Sequence, residues 1–200
     1  MFKVIAKTAL KTLAVVAAVI AVAFGVASIG FPSAMAGVFE KLGNYSFATG
    51  YASLSYTYSK DIADLARCAQ DSILSKNDKN TVKFGDKLIA HEGFYEFCST
   101  ESERLKLDYS QYICGGIACA KYRTGDMRGA ISLAADAVEK SGGFPEGNAI
   151  VQLTLAVEKK GDKAAAEGLL NVITTISAEG KNYEAVINTL NKIINQGDRL

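Results

Sequence analysis

Hydrophobic residues follow two patterns along the chain, one continuous and one periodic. Residues 13–31 are nearly all Leu, Val, Ile, Ala and Phe, and no charged residue occurs from Thr12 to Phe39. Further along, apolar residues recur three and four positions apart, without the sustained alternation that is typical of strands. Only two prolines, Pro32 and Pro145, occur in the chain. These patterns predict an all-α protein with an apolar N-terminal helix.

The continuous apolar run is long enough to cross a bilayer. About twenty residues at 1.5 Å each cover a hydrocarbon core roughly 30 Å thick. Lys3, Lys7 and Lys11 precede the run, so the positive-inside rule predicts a cytoplasmic N-terminus and an exported remainder. The predicted organisation is a cytoplasmic N-terminus at residues 1–11, a transmembrane helix in the lipid bilayer at residues 12–31, and an extracytoplasmic domain at residues 32–200.

A cleavable signal peptide is the alternative interpretation of this segment. The sequence 33–36, Ser-Ala-Met-Ala, is followed by Gly37 and places small residues where a signal peptidase reads them. Cleavage between Ala36 and Gly37 would release a soluble protein. Retention is favoured because the apolar run exceeds the usual core of about 7–15 residues, and because residues 34–42 continue at helical spacing into the next segment. Both outcomes place the domain outside the cytoplasm.

A turn signature of Gly followed by Asn or Asp recurs between helical patterns. It occurs at Gly43-Asn44, Gly125-Asp126 and Gly161-Asp162. The last two turns are 36 positions apart, and the arrangement resembles the tetratricopeptide repeat (TPR), a helix-turn-helix of about 34 residues. The resemblance covers residues 32–200 and implies a TPR-like α-α superhelix that recognises a protein or peptide partner. Residues 31–56, FPSAMAGVFEKLGNYSFATGYASLSY, are also similar to membrane-anchored repeat proteins of unknown function in Firmicutes.

The strongest unit runs from Gln111 to Ser141. After its turn, Ala130, Ala134 and Ala137 stand at i, i+4 and i+7, and Ala118 precedes the turn. Alanines at this spacing form a flat stripe on a helix, which lets neighbouring helices approach closely. We therefore expect these four residues to lie between helices.

Further units match the repeat less closely. The first unit has small residues after its turn, and the last has apolar residues after its turn. Asn77-Asp78 is the candidate turn of another unit, which would place Asp86 at a packing position. The packing positions expected in the first and last units are Ala36, Ala48, Ala52, Ser55, Val157, Ala166, Leu170 and Ile173.

Two segments fall outside the repeat pattern. The distance from Asn77 to Gly125 exceeds one repeat by about fourteen residues, so we expect an irregular insertion at residues 91–108. Residues 182–195 carry apolar side chains on one helical face. We expect them to form a capping helix that covers the last repeat.

Charge and cysteine spacing exclude several classes of function. The chain has 22 Lys and Arg against 21 Asp and Glu, so it lacks the positive excess of a nucleic-acid-binding protein. Its cysteines lack the CxxC or CxxH spacings of zinc and redox sites. We expect no metal and no cofactor, and burial of the thiols in a helical core. The cysteines are Cys68, Cys98, Cys114 and Cys119.

The sequence contains no recognisable catalytic set. His91 is the only histidine, and its pairing with Cys98 as a nucleophile remains an alternative without an evident orienting partner. Gly115 and Gly116 lack the preceding strand and the Lys-Ser/Thr of a phosphate loop. Their place in a helix indicates close contact with a neighbouring helix. We predict a protein that is not an enzyme.

Aromatic residues crowd the segment that follows the apolar run. Such residues are typical of bilayer interfaces and binding surfaces, and also pack between helices. The segment contains Tyr45, Phe47, Tyr51, Tyr56 and Tyr58. The first helix of the strongest unit, which TPR-like geometry places on the concave face, adds further candidates. The candidate binding residues are Tyr51, Tyr112, Lys121 and Tyr122.

These observations predict a membrane-anchored extracytoplasmic module for protein–protein interaction. An alternative is an accessory subunit of a membrane complex, assembled through its transmembrane helix. Gly25, Ser28 and Gly30 are small residues of the kind that permits close helix contact in lipid. A secreted soluble repeat protein is the third hypothesis, and it requires cleavage at Ala36-Gly37.

Overall fold

Helices joined by short turns make up nearly all of the chain that the structure describes. The structure is a computed structural model that describes the backbone of residues 2–141, 148–177 and 183–196, and the side chains of residues 11–140, 148–176 and 183–195. Within these ranges there are eleven helices and no strand, which confirms the all-α prediction. The helices are α1 (Phe2–Gly30), α2 (Pro32–Lys41), α3 (Tyr45–Ser59), α4 (Ile62–Leu74), α5 (Asp78–Ile89), α6 (Phe94–Leu105), α7 (Tyr109–Arg123), α8 (Met127–Ser141), α9 (Ala149–Lys160), α10 (Lys163–Ser177) and α11 (Glu184–Gln196).

The apolar N-terminal run forms one helix of 29 residues, α1. Its residues Lys11–Gly30 are long and apolar enough to cross a membrane, and none of them is buried in the protein. Phe31 separates α1 from α2 with φ −136° and ψ 57°. This conformation is not helical, because the proline ring at position 32 disfavours the helical conformation of the residue before it. α1 therefore ends at Gly30, and α2 begins at Pro32 as a separate helix.

The recurrent Gly-Asn and Gly-Asp turns each combine a helix end with a helix start. Gly43, Gly125 and Gly161 adopt φ angles of 70°, 97° and 64°, a left-handed conformation that glycine adopts without steric cost. The Asn or Asp after each glycine accepts a hydrogen bond from the backbone N–H three residues later, at 2.9 to 3.3 Å. That bond caps the next helix, so the signature encodes a sharp reversal between two helices.

The helices pack largely in the order of the chain. α3 contacts α2 and α4, α4 contacts α5, and α11 covers α9 and α10. α7 lies at the centre of this arrangement, in contact with α4, α5, α6, α8 and α9. Twelve of its fifteen residues are buried. The packing of α7 therefore joins the first hairpins to the last ones.

The small-residue stripes lie between helices, as predicted. Ala130, Ala134 and Ala137 of α8 are at most 2% exposed, and Ala118 of α7 is fully buried. The positions expected in the first and last units are buried as well, except that Leu170 is only partly buried. The adjacent Leu169 has a buried side chain there instead.

The two central glycines of α7 are in close contact with other helices, as expected. A Cβ atom at Gly116 would lie 2.5 Å from Cδ1 of Ile73 in α4. A Cβ atom at Gly115 would overlap the side-chain amide of Gln152 in α9. These contacts are with side chains, and they explain why α7 tolerates two helix-weakening glycines in sequence.

The predicted register of α5 is wrong by one residue. Asp86 is exposed, whereas Thr81, Gly85 and Leu88 are buried. Counted from the N-cap Asn77, these three stand at offsets +4, +8 and +11. The buried alanines of α8 have the same offsets from their own N-cap. α5 therefore buries residues at the same offsets from its N-cap as α8 does.

The absence of a glycine at the turn before α5 explains the error in its predicted register. Lys76 takes the left-handed position, with φ 56°, that Gly43 takes in the first turn. Asn77 then caps α5 as Asn44 caps α3. Aligning Asn77 with Gly43 instead of Asn44 shifted every later position by one residue.

The expectation of an irregular insertion at residues 91–108 is also wrong. Most of this segment is the regular helix α6, which packs against α7 and α4. Phe94 and Cys98 are buried and Phe97 is partly buried, so apolar residues do follow a helical spacing here. Interleaved charged residues obscured that spacing.

The predictions for the C-terminal cap and the cysteines are confirmed within the described residues. α11 buries Val186, Leu190 and Ile193, and Tyr183 just before it, against α9 and α10. Asn182, the predicted start of this helix, lies outside the described residues. All four cysteine thiols are free and buried in the helical core.

Candidate functional site

A cavity of about 430 Å³ lies among five helices in the N-terminal half of the domain. One face of α4 forms most of its wall, opposite residues from α2, α3, α6 and α7. The lining residues are Glu40, Tyr45, Ala63, Ala66, Arg67, Gln70, Asp71, Leu74, Phe97, Glu101, Arg104 and Tyr109.

The position of α4 follows from its two different faces. Its lining residues recur three and four positions apart from 63 to 74, and so share one side of the helix. The other side carries Leu65, Cys68, Ala69 and Ser72, which are buried in the core. Burial of that apolar face turns the mixed polar face toward the cavity.

A bidentate ion pair joins α4 to α2 at the edge of the cavity. The Arg67 guanidinium donates through Nε and Nη2 to the two carboxylate oxygens of Glu40. Nη1 donates to the Ser33 carbonyl oxygen at 2.9 Å, and an added Cβ at Gly37 would lie 3.0 Å from Nη2. The pair is about one-quarter exposed, and these hydrogen bonds to Glu40 raise the pKa of Arg67.

A second ion pair lies on α6. Arg104 donates to both carboxylate oxygens of Glu101 one turn earlier in the same helix. The Arg104 side chain is 64% exposed and that of Glu101 is 18% exposed. Both arginines of the cavity are therefore already bound to a carboxylate.

Asp71 is the third carboxyl group of the cavity and has no cation of its own. The residue is 2% exposed, and its Oδ2 atom is a buried acceptor without a hydrogen-bond donor. Burial raises the pKa of Asp71 to about 7, the nearby Glu40 carboxylate adds to the rise, and Arg67 opposes it. A hydrogen bond between the Asp71 and Glu40 carboxyl groups contributes to this rise, because such a bond forms only when one of the two groups carries a proton. Asp71 therefore retains its proton to a much higher pH than an exposed aspartate.

Aromatic rings form the remaining wall. The Tyr109 hydroxyl donates to Oε1 of Gln70 at 3.2 Å, and its ring meets Phe97 edge-on with centroids 6.0 Å apart. Burial raises the pKa of Tyr109. Tyr45, the first residue of α3, also lines the cavity. Charged and aromatic groups therefore line the same cavity.

Tyr51 and Tyr112, two predicted binding residues, lie outside this lining. Tyr51 stacks on Phe39 with ring centroids 5.4 Å apart, and its hydroxyl is 2.9 Å from Oγ of Ser28 in α1. It lines a different, more open cavity on α3. Tyr112 is half-buried next to Tyr109, with ring centroids 6.3 Å apart.

Lys121 and Tyr122, the other two, join α7 to neighbouring elements. The ammonium group of Lys121 is 2.7 Å from Oδ1 of Asp86, and its side chain is only 14% exposed. The Tyr122 hydroxyl donates to Oδ2 of Asp162 at 2.9 Å. The structure does not bring the four predicted residues together at one site.

The cavity residues were missed because their chemistry depends on helices that are distant in sequence. Glu40 and Arg67 are 27 positions apart, and α6 closes the cavity from a segment that was expected to be irregular. The one usable signal was the polar face of α4, where Arg67, Gln70 and Asp71 occur within a helix of mainly small and apolar residues.

The His91 and Cys98 pairing lacks a reactive thiol. His91 lies in an exposed turn, where its Nδ1 accepts the Gly93 N–H at 3.1 Å. Cys98 is 2% exposed, and burial raises its pKa to about 12, so the thiol stays protonated at neutral pH. No group of three or more potential metal ligands occurs in the part of the chain that the structure describes.

No protein-family model matches the sequence, and no curated protein matches it either.

Proposed function

We propose that this protein is a membrane-anchored extracytoplasmic interaction module that binds a segment of a partner protein in the cavity among α2, α3, α4, α6 and α7. α1 is its anchor, and TPR-like hairpins from α2 onward are its scaffold. The role is binding without catalysis. The observation that carries the proposal is a cavity within the size range of ligand sites, roughly 300–1,000 Å³, whose wall contains aromatic and charged groups.

The helix packing supports a TPR-like scaffold. Small or buried residues recur at the same offsets from the N-cap in α3, α5 and α8. In a TPR-like superhelix the first helix of each hairpin lines the concave face. α2, α4 and α7 are first helices, and each contributes to the cavity wall.

The contacts of α2 support retention of the apolar helix over cleavage. Met35 and Ala36 are buried in α2, and the Ser33 carbonyl accepts a hydrogen bond from Arg67. Cleavage after Ala36 would remove all three residues and half of α2. A secreted form would lose part of the cavity edge.

The accessory-subunit hypothesis has less support. A Cβ atom added at Gly25 or at Gly30 would have no neighbouring atom within 4 Å. At 100° per residue, however, the two glycines face directions about 140° apart around the axis of α1. The Ser28 hydroxyl between them is already bonded to Tyr51. The three small residues therefore do not form one free surface for a second helix.

Site-specific photocrosslinking in intact cells tests the proposed function. Ala63 lines the cavity and is exposed, so a photoreactive phenylalanine analogue at this position reports its occupant. We expect one discrete adduct from Ala63, and none from Lys159, which is exposed on α9 outside the cavity lining. Leu74→Trp, which narrows the cavity, should abolish the adduct.

A matched substitution controls for general effects of tryptophan. Leu155→Trp on α9 alters an exposed leucine away from the cavity and should leave the adduct unchanged. Absence of an adduct at Ala63, or an adduct that survives Leu74→Trp, would overturn the proposed binding role.

A further inference from the structure

One of the three carboxyl groups of the cavity is not bound by an arginine. Glu40 is bound by Arg67, and Glu101 is bound by Arg104. Asp71 lines the same cavity with a buried oxygen that receives no hydrogen bond. A buried acceptor without a donor costs free energy, so the site is chemically incomplete as it stands.

The missing group is a cationic donor. An anion would meet a third carboxyl group, and both guanidinium groups are already bound to carboxylates. A calcium ion needs six or more oxygen ligands, whereas Asp71 and Glu40 together supply two carboxyl groups. A single organic cation satisfies Asp71 with one charge and with hydrogen bonds.

The rest of the wall suits an apolar stem. Leu74 and Ala63 offer aliphatic surface at the cavity, and Tyr45, Phe97 and Tyr109 offer aromatic rings. Aromatic faces attract alkylammonium groups, and a lysine side chain carries a methylene stem that packs on apolar surface while its charge reaches a polar group.

We infer that the cavity binds an alkylammonium group, supplied by a lysine side chain of the partner segment, with the Asp71 carboxylate as its counter-charge. The inference rests on the proposed binding role of the cavity. Asp71 releases its proton to the solvent as the charged ammonium group enters, and the ammonium nitrogen then donates to the carboxylate oxygen that has no donor in the free protein.

This exchange makes binding depend on pH. The titratable and charged groups that line the cavity around Asp71 are Glu40 from α2, Tyr45 from α3, Arg67 from α4, Glu101 and Arg104 from α6, and Tyr109 from α7. α5 lines no part of it. With the Asp71 pKa at about 7, ionised carboxylate increases about tenfold between pH 6 and pH 8.

Three ligands test the inference on the full chain in detergent micelles. One is a capped peptide with a central lysine, the second replaces that lysine by norleucine, and the third is pentylamine. We expect the lysine peptide to bind about tenfold more tightly at pH 8 than at pH 6, and the norleucine peptide to show neither this affinity nor this pH dependence. Asp71→Asn should remove both while leaving the helix content unchanged by circular dichroism.

The outcomes separate the inference from the proposed function. Tighter binding of the lysine peptide than of pentylamine identifies a peptide as the source, and equal binding supports the same chemistry with a small amine as ligand. Equal binding of the lysine and norleucine peptides, or no binding of either lysine peptide or amine, overturns the inference. The photocrosslinked adduct at Ala63 tests the proposed binding role independently of these results.

Discussion

Arg67 shows at the scale of one residue how the cavity edge is held. Its guanidinium reaches a carboxylate on α2, a backbone carbonyl on α2 and the space above Gly37. A glycine at position 37 leaves room for this planar group, since any side chain there would begin 3.0 Å from Nη2. Arginine suits the position because its rigid fork binds a carboxylate through two parallel hydrogen bonds.

Removing this fork should destabilise the fold. Arg67→Met leaves Glu40 without its cation beside the buried Asp71, and hydrogen bonds to charged groups contribute about 1.5–3 kcal/mol. We expect a loss of roughly 1–3 kcal/mol in the free energy of unfolding, measured by urea denaturation in detergent. Arg104→Met removes a largely exposed arginine from its ion pair with Glu101 and should cause no measurable change. An equal loss of stability in both variants would contradict the assigned role of Arg67.

The raised pKa of Asp71 predicts a pH-dependent stability. The folded-state pKa of about 7 exceeds the value of about 3.9 in an unfolded chain, so the folded protein binds the additional proton. The contribution of Asp71 to stability is then full below about pH 4 and is lost as the pH rises through about 7. Asp71→Asn should flatten this decline and be more stable than the natural protein at pH 8, by a few kcal/mol at most, whereas Asp136→Asn at an exposed site should not. Parallel pH profiles for the natural protein and Asp71→Asn would show that Asp71 does not carry the proton.

At the scale of the helices, the sequence predicts what local chemistry determines. The helix type, the Gly-Asn and Gly-Asp turns and the alanine stripe of α8 follow from spacing and capping, and all are present. The α5 register was missed because Lys76 adopts a left-handed conformation that its residue type does not signal. The site was missed for another reason, since Asp71 is unusual only after α2 and α6 have folded over α4.

Two glycine substitutions distinguish close packing from helix propensity. Gly50 in α3 has no atom within 4 Å of an added Cβ, whereas a Cβ at Gly85 in α5 would lie 2.6 Å from Cγ1 of Ile117. Gly50→Ala should stabilise the protein by about 0.5–1 kcal/mol. Gly85→Ala should destabilise it by roughly 1–3 kcal/mol, which thermal unfolding of both variants would measure. Stabilisation by both substitutions would mean that α5 and α7 can separate without cost.

At the scale of the whole molecule, the buried thiols provide a way to determine topology. Burial raises the pKa of Cys68, Cys98 and Cys114 to about 12 and that of Cys119 to about 11. Protonated, inaccessible thiols react slowly with maleimides. A cysteine introduced at an exposed position is therefore the main reactive thiol of the folded protein.

Labelling with a membrane-impermeant maleimide should then locate the domain. Lys87 is exposed on α5, and Lys87→Cys should be labelled in intact cells because the domain is proposed to be exported. Lys7→Cys, before the apolar run, should be labelled only after lysis. The reverse result would place the domain in the cytoplasm. Intact-mass analysis of the labelled membrane fraction should in addition give the mass of the uncleaved chain.

The short α2 sets a distance as well as a direction. The Ser28–Tyr51 hydrogen bond ties the end of α1 to the second helix of the domain, and Glu40, at the cavity edge, follows Gly30 by ten residues. The helical part of this connection, from Pro32 to Glu40, spans about 12 Å, and the two steps across the non-helical Phe31 add at most about 7 Å. With α1 in the bilayer, Glu40 at the cavity edge lies within about 20 Å of the end of the span, so a segment that reaches it must itself pass close to the membrane surface. The protein would then bind only partners whose binding segment lies within this distance of the lipid, whatever the side chains of that segment.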